Sequence, residues 1–247
     1  MRYTKKTIEK YKGFMNHMIQ KYDEMTPEQI LAIGTAISEG NGKIGRVLNV
    51  SLPAIIACHN CHTADGCDGC AYYCYDVKDC YRRGYKDDNQ TFAARARNYV
   101  LATKYRDAYF EAIDKAMSAR RKNKYFRWHV AGDILDYDYF CRMMDNARRH
   151  PDFKIWTYTK CYAYVNRWIR ENGPLPDNFK CMFSAWDGMT FLNPWNLPLF
   201  ACKLEKGNKD ITAEQFDTMY KCPVNCDVCK AINRGCIAGE NTYADEH

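Results

Sequence analysis

The sequence lacks any run of about 18 apolar residues, so it predicts no transmembrane helix. It also lacks the apolar stretch of a signal peptide, because Glu and Lys follow its basic first residues. No segment repeats with a period of about 20–50 residues, and no Gly/Ser-rich linker separates two halves. These absences exclude membrane-spanning and solenoid architectures and predict a globular, cytoplasmic protein.

Charge of one sign is also scarce. The formal net charge is +6 over 247 residues, and the basic residues are scattered rather than gathered into one stripe. If about eight cysteines bind metal as thiolates, their negative charge offsets most of this excess. Charge alone therefore gives no support to a nucleic-acid partner, which stays open as an alternative.

Cysteine and tyrosine are abundant instead, with 14 and 19 residues. The cysteines make up about 6% of the chain, below the roughly 8–10% that marks small disulfide scaffolds. In a reducing compartment, metal ligation explains clustered cysteines better than disulfides do.

Strand and helix patterns alternate along the chain. Capping boxes at 26–29 and 212–215 each predict the start of a helix, and an amphipathic helix is predicted over 3–22. Between them the pattern predicts strands at 47–52, 125–130, 154–159, 179–185 and 197–202, and helices at 91–121, 137–149 and 162–171.

This alternation predicts an α/β fold with parallel strands. About five strands fit either an open sheet or a partial (β/α) barrel, and we favour the partial barrel. We divide the chain into an N-terminal helical segment (1–44), the partial barrel with a cysteine-rich loop at 58–80 (45–205), and a C-terminal helix and metal-binding segment (206–247).

The cysteines form two groups with short spacings. The first group consists of Cys58, Cys61, Cys67, Cys70 and Cys74, with Cys80 just beyond. The second group consists of Cys222, Cys226, Cys229 and Cys236. Spacings of two or three residues direct two thiolates at one centre, so each group has enough ligands for a metal site. A centre shared by both groups stays open as an alternative.

Spacing favours iron–sulfur over zinc. Zinc sites pair two CxxC motifs across a dozen or more residues, and the first group is tighter than that. Iron–sulfur clusters accept three closely spaced cysteines and a more distant fourth, which suits both groups. Zinc with His59 or His62, and disulfides or free thiols, are the alternatives. The isolated Cys141, Cys161, Cys181 and Cys202 are predicted to be small buried apolar residues.

Cys222-x3-Cys226-x2-Cys229 has the spacing that holds three irons of the cluster in radical S-adenosylmethionine enzymes. In those enzymes the motif follows the first barrel strand, whereas here it lies near the C-terminus and Cys236 can fill the fourth position. The first group follows the first predicted strand, but its Cys67-x2-Cys70-x3-Cys74 has the reverse order.

Several segments resemble the phage gene product 88 family over roughly residues 45–247. They are Leu52-Pro53 before the cysteine loop, CAYYCY at 70–75, FRWHVAGD at 126–133, KIWTYTK at 154–160 and the terminal cysteine group. The matching positions are Cys70, Cys74, Tyr75, Arg127, Trp128, His129, Gly132, Asp133, Tyr158 and Lys160, and His247 resembles the family's closing histidine. The resemblance implies a phage or prophage protein, in an infected or lysogenic bacterium, with a fold similar to radical S-adenosylmethionine barrels.

Reactive groups of a (β/α) barrel lie at the carboxyl ends of its strands. There we predict His129, Asp133, Lys160 and Asp187 as catalytic residues, and Gly132 and Ser184 as cofactor-binding residues. Gly132 permits close backbone approach, the carboxylates accept hydrogen bonds, and Lys160 offers a point charge to a carboxylate or phosphate. The structural alternatives are a helix cap for Asp133, a snorkelling side chain for Lys160 and a buried core histidine for His129.

Tyrosines follow the first cysteine group and alternate with basic residues: Tyr72, Tyr73, Tyr75, Tyr81 and Tyr85, with Arg82, Arg83 and Lys86. They suit either stacking on single-stranded nucleic acid or shielding of a metal cluster, and we favour shielding.

The sequence thus predicts a phage-related iron–sulfur protein with two 4Fe-4S clusters, acting as a redox enzyme or as a radical enzyme that also binds S-adenosylmethionine. The alternative is a zinc- or cluster-stabilised module that binds nucleic acid or a host protein without catalysis. Substrate and oligomeric state stay undefined.

Overall fold

A computed structural model describes residues 2–42, 44–59 and 69–246 of the chain. Seven parallel strands form one curled sheet, a half-barrel, in the order β1-β2-β3-β4-β5-β7-β6. The prediction of an α/β partial barrel is confirmed at this level. No helix of the described residues has the length and apolar character needed to cross a membrane.

The strands are β1 Leu48–Asn49, β2 Tyr125–Arg127, β3 Lys154–Thr159, β4 Phe179–Ala185, β5 Leu199–Lys203, β6 Tyr220–Lys221 and β7 Thr242–Asp245. The helices are α1 Lys5–Gln20, α2 Pro27–Ile33, α3 Tyr75–Arg82, α4 Gln90–Lys104, α5 Arg106–Ala119, α6 Tyr137–Arg149, α7 Tyr162–Asn172, α8 Ala213–Asp217 and α9 Cys226–Ile232. Single 3-10 turns occupy Cys70–Tyr73 and Gly235–Ile237.

Alternation along the central strands separates two faces of the sheet. Ile155, Phe179 and Phe183 join the main core, which the helices α4–α7 complete on the outer face. Trp156 and Met182 point the other way, into a smaller cluster with Cys229 and Cys236. The C-terminal segment therefore supplies two strands to the sheet and also packs against its inner face.

A third cluster holds α1 against α3 and α4. Its apolar members include Tyr11, Met15 and Phe92, and a fully buried carboxylate, Asp76, lies among them. Asp76 accepts hydrogen bonds from the Tyr11 hydroxyl (2.6 Å) and the Ala54 amide (3.4 Å), and it pairs with Arg95. This network joins the N-terminal helix to the segment that carries the first cysteine group.

Several predicted boundaries were wrong. The helix predicted over 91–121 is two helices, because Tyr105 between them leaves the helical region (φ −130°, ψ 51°). The second helix ends at Ile33 rather than near Gly40. The strand predicted over 125–130 ends at Arg127, and His129 just beyond it has a left-handed φ of 53°. The sequence patterns missed β6, β7, α3 and α9.

Candidate metal centre

The second cysteine group lies where the C-terminal segment meets the inner face. Cys222 follows β6 and donates its amide to the Tyr243 carbonyl (2.7 Å). Val224 then adopts a left-handed conformation (φ 56°), which is unfavourable for a β-branched residue. Asn225 caps α9 by accepting from the Asp227 amide (2.9 Å). The strand end, the strained turn and the cap together fix the backbone between Cys222 and Cys226.

The four thiols of this group lie close enough to interact electrostatically. Burial raises the pKa of Cys226 and Cys229 and raises that of Cys236 to about 12. The neighbouring Cys222 thiol adds to the rise at all three. Neutral thiols are therefore stable here, and their ionisation requires a metal or a cation to offset the charge.

Among residues 2–42, 44–59 and 69–246, no group of three or more His, Cys, Asp or Glu side chains is placed to hold a metal ion. A tetrahedral zinc site with Zn–S bonds of about 2.3 Å needs its sulfurs roughly 3.8 Å apart. An iron–sulfur cluster places several irons and sulfides between its cysteines, so its ligands stand further apart. The four thiols supply the type of ligand that either centre uses.

An arginine on the inner face lies beside these thiols. Burial lowers the pKa of Arg127, and the neighbouring Tyr158, Tyr75, Cys226 and Cys236 more than offset this, so the pKa is raised overall. Its guanidinium lies 4.6 Å from the centre of the Tyr158 ring, and its buried Nε has no hydrogen-bond partner. No carboxylate in the described part of the chain forms an ion pair with it. The ionisable groups beside it are the two tyrosines and the two cysteines.

The first cysteine group is described only in part, because Cys61 and Cys67 lie outside the described residues. Burial raises the pKa of Cys58, with Asp133, Cys74 and Cys70 adding to the rise, so these three thiols are neighbours. Burial and Asp76 together raise the pKa of Cys74 to about 12. Cys58 therefore lies near Asp133, in the loop after β2, and it packs with Cys74 against the cluster that holds α1.

Lys160 and Ser184 come together at the carboxyl ends of β3 and β4. The Lys160 ammonium donates to the Ser184 hydroxyl (2.7 Å). Tyr162, at the start of α7, donates to the Ser184 carbonyl (2.6 Å). This pair remains a candidate site for an anionic group at the inner-face rim.

Asp133 is buried, and its carboxylate accepts three hydrogen bonds: from the Thr159 hydroxyl (2.6 Å), the Lys160 amide (2.8 Å) and the Ile134 amide (2.8 Å). Burial raises its pKa, and these bonds act in the opposite direction. It joins the loop after β2 to the end of β3. The alternative role as a helix cap belongs to Asp136, which accepts from the Tyr139 amide at the start of α6.

His129 and Asp187 lie apart from this pair. His129 is buried beside α6, and its Nε2 lies 3.1 Å from the Tyr139 hydroxyl. Asp187 accepts from the amides of Lys209 (2.5 Å) and Asp210 (3.2 Å), so it holds a loop. Lys160 and Ser184 therefore form one pair at the rim. His129, Asp133 and Asp187 are instead bonded within the fold.

Gly132 serves a close approach of two backbone segments. Its φ is +83°, and a Cβ there would lie 2.6 Å from the Leu52 Cβ and 2.9 Å from the Leu52 carbonyl oxygen. The Leu52 amide donates to the Ala131 carbonyl (2.9 Å) at the same place. The contacts of Gly132 in the described residues are with Leu52, and they support a packing role rather than the predicted role in cofactor binding.

We expect Gly132→Ala to lower the free energy of unfolding by about 1–3 kcal/mol through backbone strain, with the clash adding to this. Gly188→Ala is a matched control, because φ there is +80° and nothing lies within 4 Å of the added carbon. Urea unfolding of both variants measures the difference. Equal losses in the two variants would show that the approach to Leu52 has no energetic weight.

Three inner-face residues were absent from the predicted site: Arg127, Tyr158 and Tyr75. Arg127 and Tyr158 lie on strands, where the alternation of side chains between the two faces indicates them. Tyr158 lies two residues from Trp156 and two from Lys160, so all three share a face. The Tyr75 hydroxyl bonds to the Val130 carbonyl, and Arg127 is near enough to lower the pKa of Tyr75, which burial raises.

The tyrosines predicted to shield a metal cluster pack in several different places. Tyr72 is buried, Tyr85 packs against Phe14 and lies under Lys10, and Tyr73 lies against Trp186 with ring centres 5.4 Å apart. Tyr81 is exposed. Of the isolated cysteines, Cys161 and Cys181 are buried, and Cys141 and Cys202 are half-buried.

The sheet and the two cysteine groups define the class: a parallel α/β half-barrel with thiol-rich segments at its strand ends and inner face. Within that class the chain belongs to the Gene product 88 family, whose model matches residues 17–193. The match begins earlier than the resemblance over 45–247, and it ends before the second cysteine group and before His247. His247 also lies outside the described residues. No curated protein and no solved structure matches the chain.

Proposed function

We propose that this chain is an iron–sulfur protein in which Cys222, Cys226, Cys229 and Cys236 hold one cluster against the inner face of the half-barrel. The observation that carries the proposal is the packing of Cys226, Cys229 and Cys236 in one cluster on the inner face. Beside them lies Arg127, a half-buried cation that no described carboxylate pairs with. Thiolates bound to iron are the counter-charge that the site supplies.

The first cysteine group is the proposed location of a second cluster. Cys58, Cys70 and Cys74 are neighbours at the strand ends, as a catalytic centre of a (β/α) barrel requires. A bound cluster supplies electron storage and transfer. Lys160, held by Ser184 at the rim, orients an anionic substrate, and Asp133 keeps the ends of β2 and β3 together. A redox or radical S-adenosylmethionine-like enzyme is the activity we propose for this arrangement.

Metal and acid-labile sulfide analysis of protein purified without oxygen tests the proposal. We expect about four irons and four sulfides per cluster, with broad absorbance near roughly 400 nm. Cys226→Ser with Cys229→Ser should remove one cluster and leave the other. The matched control is Cys141→Ser with Cys202→Ser, which removes two half-buried thiols outside both groups.

The outcomes separate the alternatives. About one or two zinc ions without sulfide would overturn the iron–sulfur proposal and favour a zinc-stabilised binding module. Loss of all iron from the Cys226/Cys229 double variant would show that both groups share one centre. Protein without bound metal would overturn the proposal in every form.

A further inference from the structure

The Tyr158 side chain is held rigidly between the sheet and the second cysteine group. It projects from β3, and its ring centre lies 4.6 Å from that of Phe200 on β5. The Arg127 guanidinium covers the ring at 4.6 Å. The Tyr158 hydroxyl donates to the Cys236 Sγ, and these two atoms are 2.9 Å apart. These contacts position the ring with its hydroxyl at Cys236.

The other tyrosine of the site is a weaker neighbour. Tyr220 lies at β6, and its hydroxyl oxygen is 3.9 Å from the Cys229 Sγ. Of these two tyrosine contacts the one from Tyr158 is short, and it is directed at Cys236, which also has a side-chain hydrogen bond with Thr242.

Resting on the proposed cluster, we infer that Tyr158 is a positioning residue that orients the Cys236 thiolate and raises the reduction potential of the cluster. Reduction adds an electron, and part of the added negative charge resides on the ligand sulfurs. A hydrogen-bond donor at a sulfur stabilises that charge, so it favours the reduced form. Removal of the hydroxyl should make the cluster harder to reduce.

The test compares Tyr158→Phe with Tyr125→Phe, in the full-length protein purified without oxygen. Tyr125 belongs to the same inner-face cluster, and its hydroxyl has no hydrogen bond to a thiol among the described residues. We expect both variants to bind as much iron as wild type. At a fixed potential we expect the ratio of reduced to oxidised cluster to fall about tenfold in Tyr158→Phe, which is 59 mV for one electron. Tyr125→Phe should match wild type.

Each failure has its own signature. Full iron loading of Tyr158→Phe with an unchanged potential would overturn the inference and leave the proposed function intact. Loss of iron from Tyr158→Phe alone, with unchanged circular dichroism, would overturn the tuning role and make Tyr158 a residue needed for cluster assembly. Wild-type protein without iron would overturn the inference together with the proposed function.

Discussion

Replacement of Asp76 by Asn is expected to lower the free energy of unfolding by about 3–5 kcal/mol, because it leaves the Arg95 guanidinium buried without a counter-charge. Asp76 is fully buried and Arg95 is nearly so. The Arg95 Nε already has no partner, so the carboxylate of Asp76 is its main compensation. Denaturant unfolding followed by circular dichroism measures the loss.

The control is an Asp→Asn change at an exposed ion pair that also contacts the N-terminal helix. Asp87 accepts from Lys21 (2.7 Å) and lies near the His17 Nε2 (3.1 Å), but all three groups are exposed. Exposed pairs contribute little, so Asp87→Asn should change the stability only slightly. Equal stabilities of Asp76→Asn and Asp87→Asn would contradict the argument.

A double variant separates charge from hydrogen bonding. Asp76→Leu with Arg95→Met removes both charges and keeps apolar volume in the cluster, so it should recover much of the stability. If the double variant is as unstable as Asp76→Asn, the bonds from Tyr11 and Ala54 carry the effect instead of the charge pair. Either result fixes how the N-terminal helix is held to the segment that carries Cys74.

The central strands could be predicted from the sequence because their apolar content is continuous on both faces. The predicted bounds of β3 and β4, 154–159 and 179–185, are those of the structure. The first strand was predicted over 47–52, and only Leu48–Asn49 form it. β6 and β7 have two and four residues, which is too short for periodicity to reveal. They exist because the neighbouring strand supplies their hydrogen bonds, and sequence periodicity carries no record of that pairing.

The contacts among the predicted site residues could be predicted only in part. Strand ends indicated Asp133, Lys160 and Ser184, which do lie near one another. The sequence does not show that amides and a hydroxyl already bond to Asp133. Arg127 was the informative omission, because an arginine whose strand neighbours are buried aromatics has few reasons to be there besides an anionic partner.

The second large effect is expected at His129, whose stability contribution should depend on pH. Burial, with Arg127 second, lowers its pKa to about 3. Tyr139 donates its hydroxyl to Tyr109 (3.3 Å), so we assign the His129 Nε2 as the donor to Tyr139. The Nδ1 atom is then a buried acceptor without a partner, and a proton there would have nothing to bond.

The direction of the pH dependence follows from the protons that His129 binds in the folded and the unfolded states. Unfolded His129, with a pKa near 6.5, takes up a proton between pH 7 and pH 4, and the folded protein does not until about pH 3. Acid therefore favours the unfolded state, and this residue should remove roughly 3 kcal/mol of stability between pH 7 and pH 4. The contribution is fully present above pH 6.5 and declines toward pH 3.

His129→Asn tests this, because Asn tolerates the left-handed φ and does not titrate. The variant should be less stable than wild type at pH 7, where it loses the Tyr139 contact, yet its stability should fall by roughly 3 kcal/mol less on acidification to pH 4. His17→Asn, at an exposed histidine, should keep the wild-type decline. Urea midpoints at several pH values give these slopes. Parallel declines in wild type and His129→Asn would mean that His129 is protonated in the folded protein, and its Nδ1 would then have to be exposed to water.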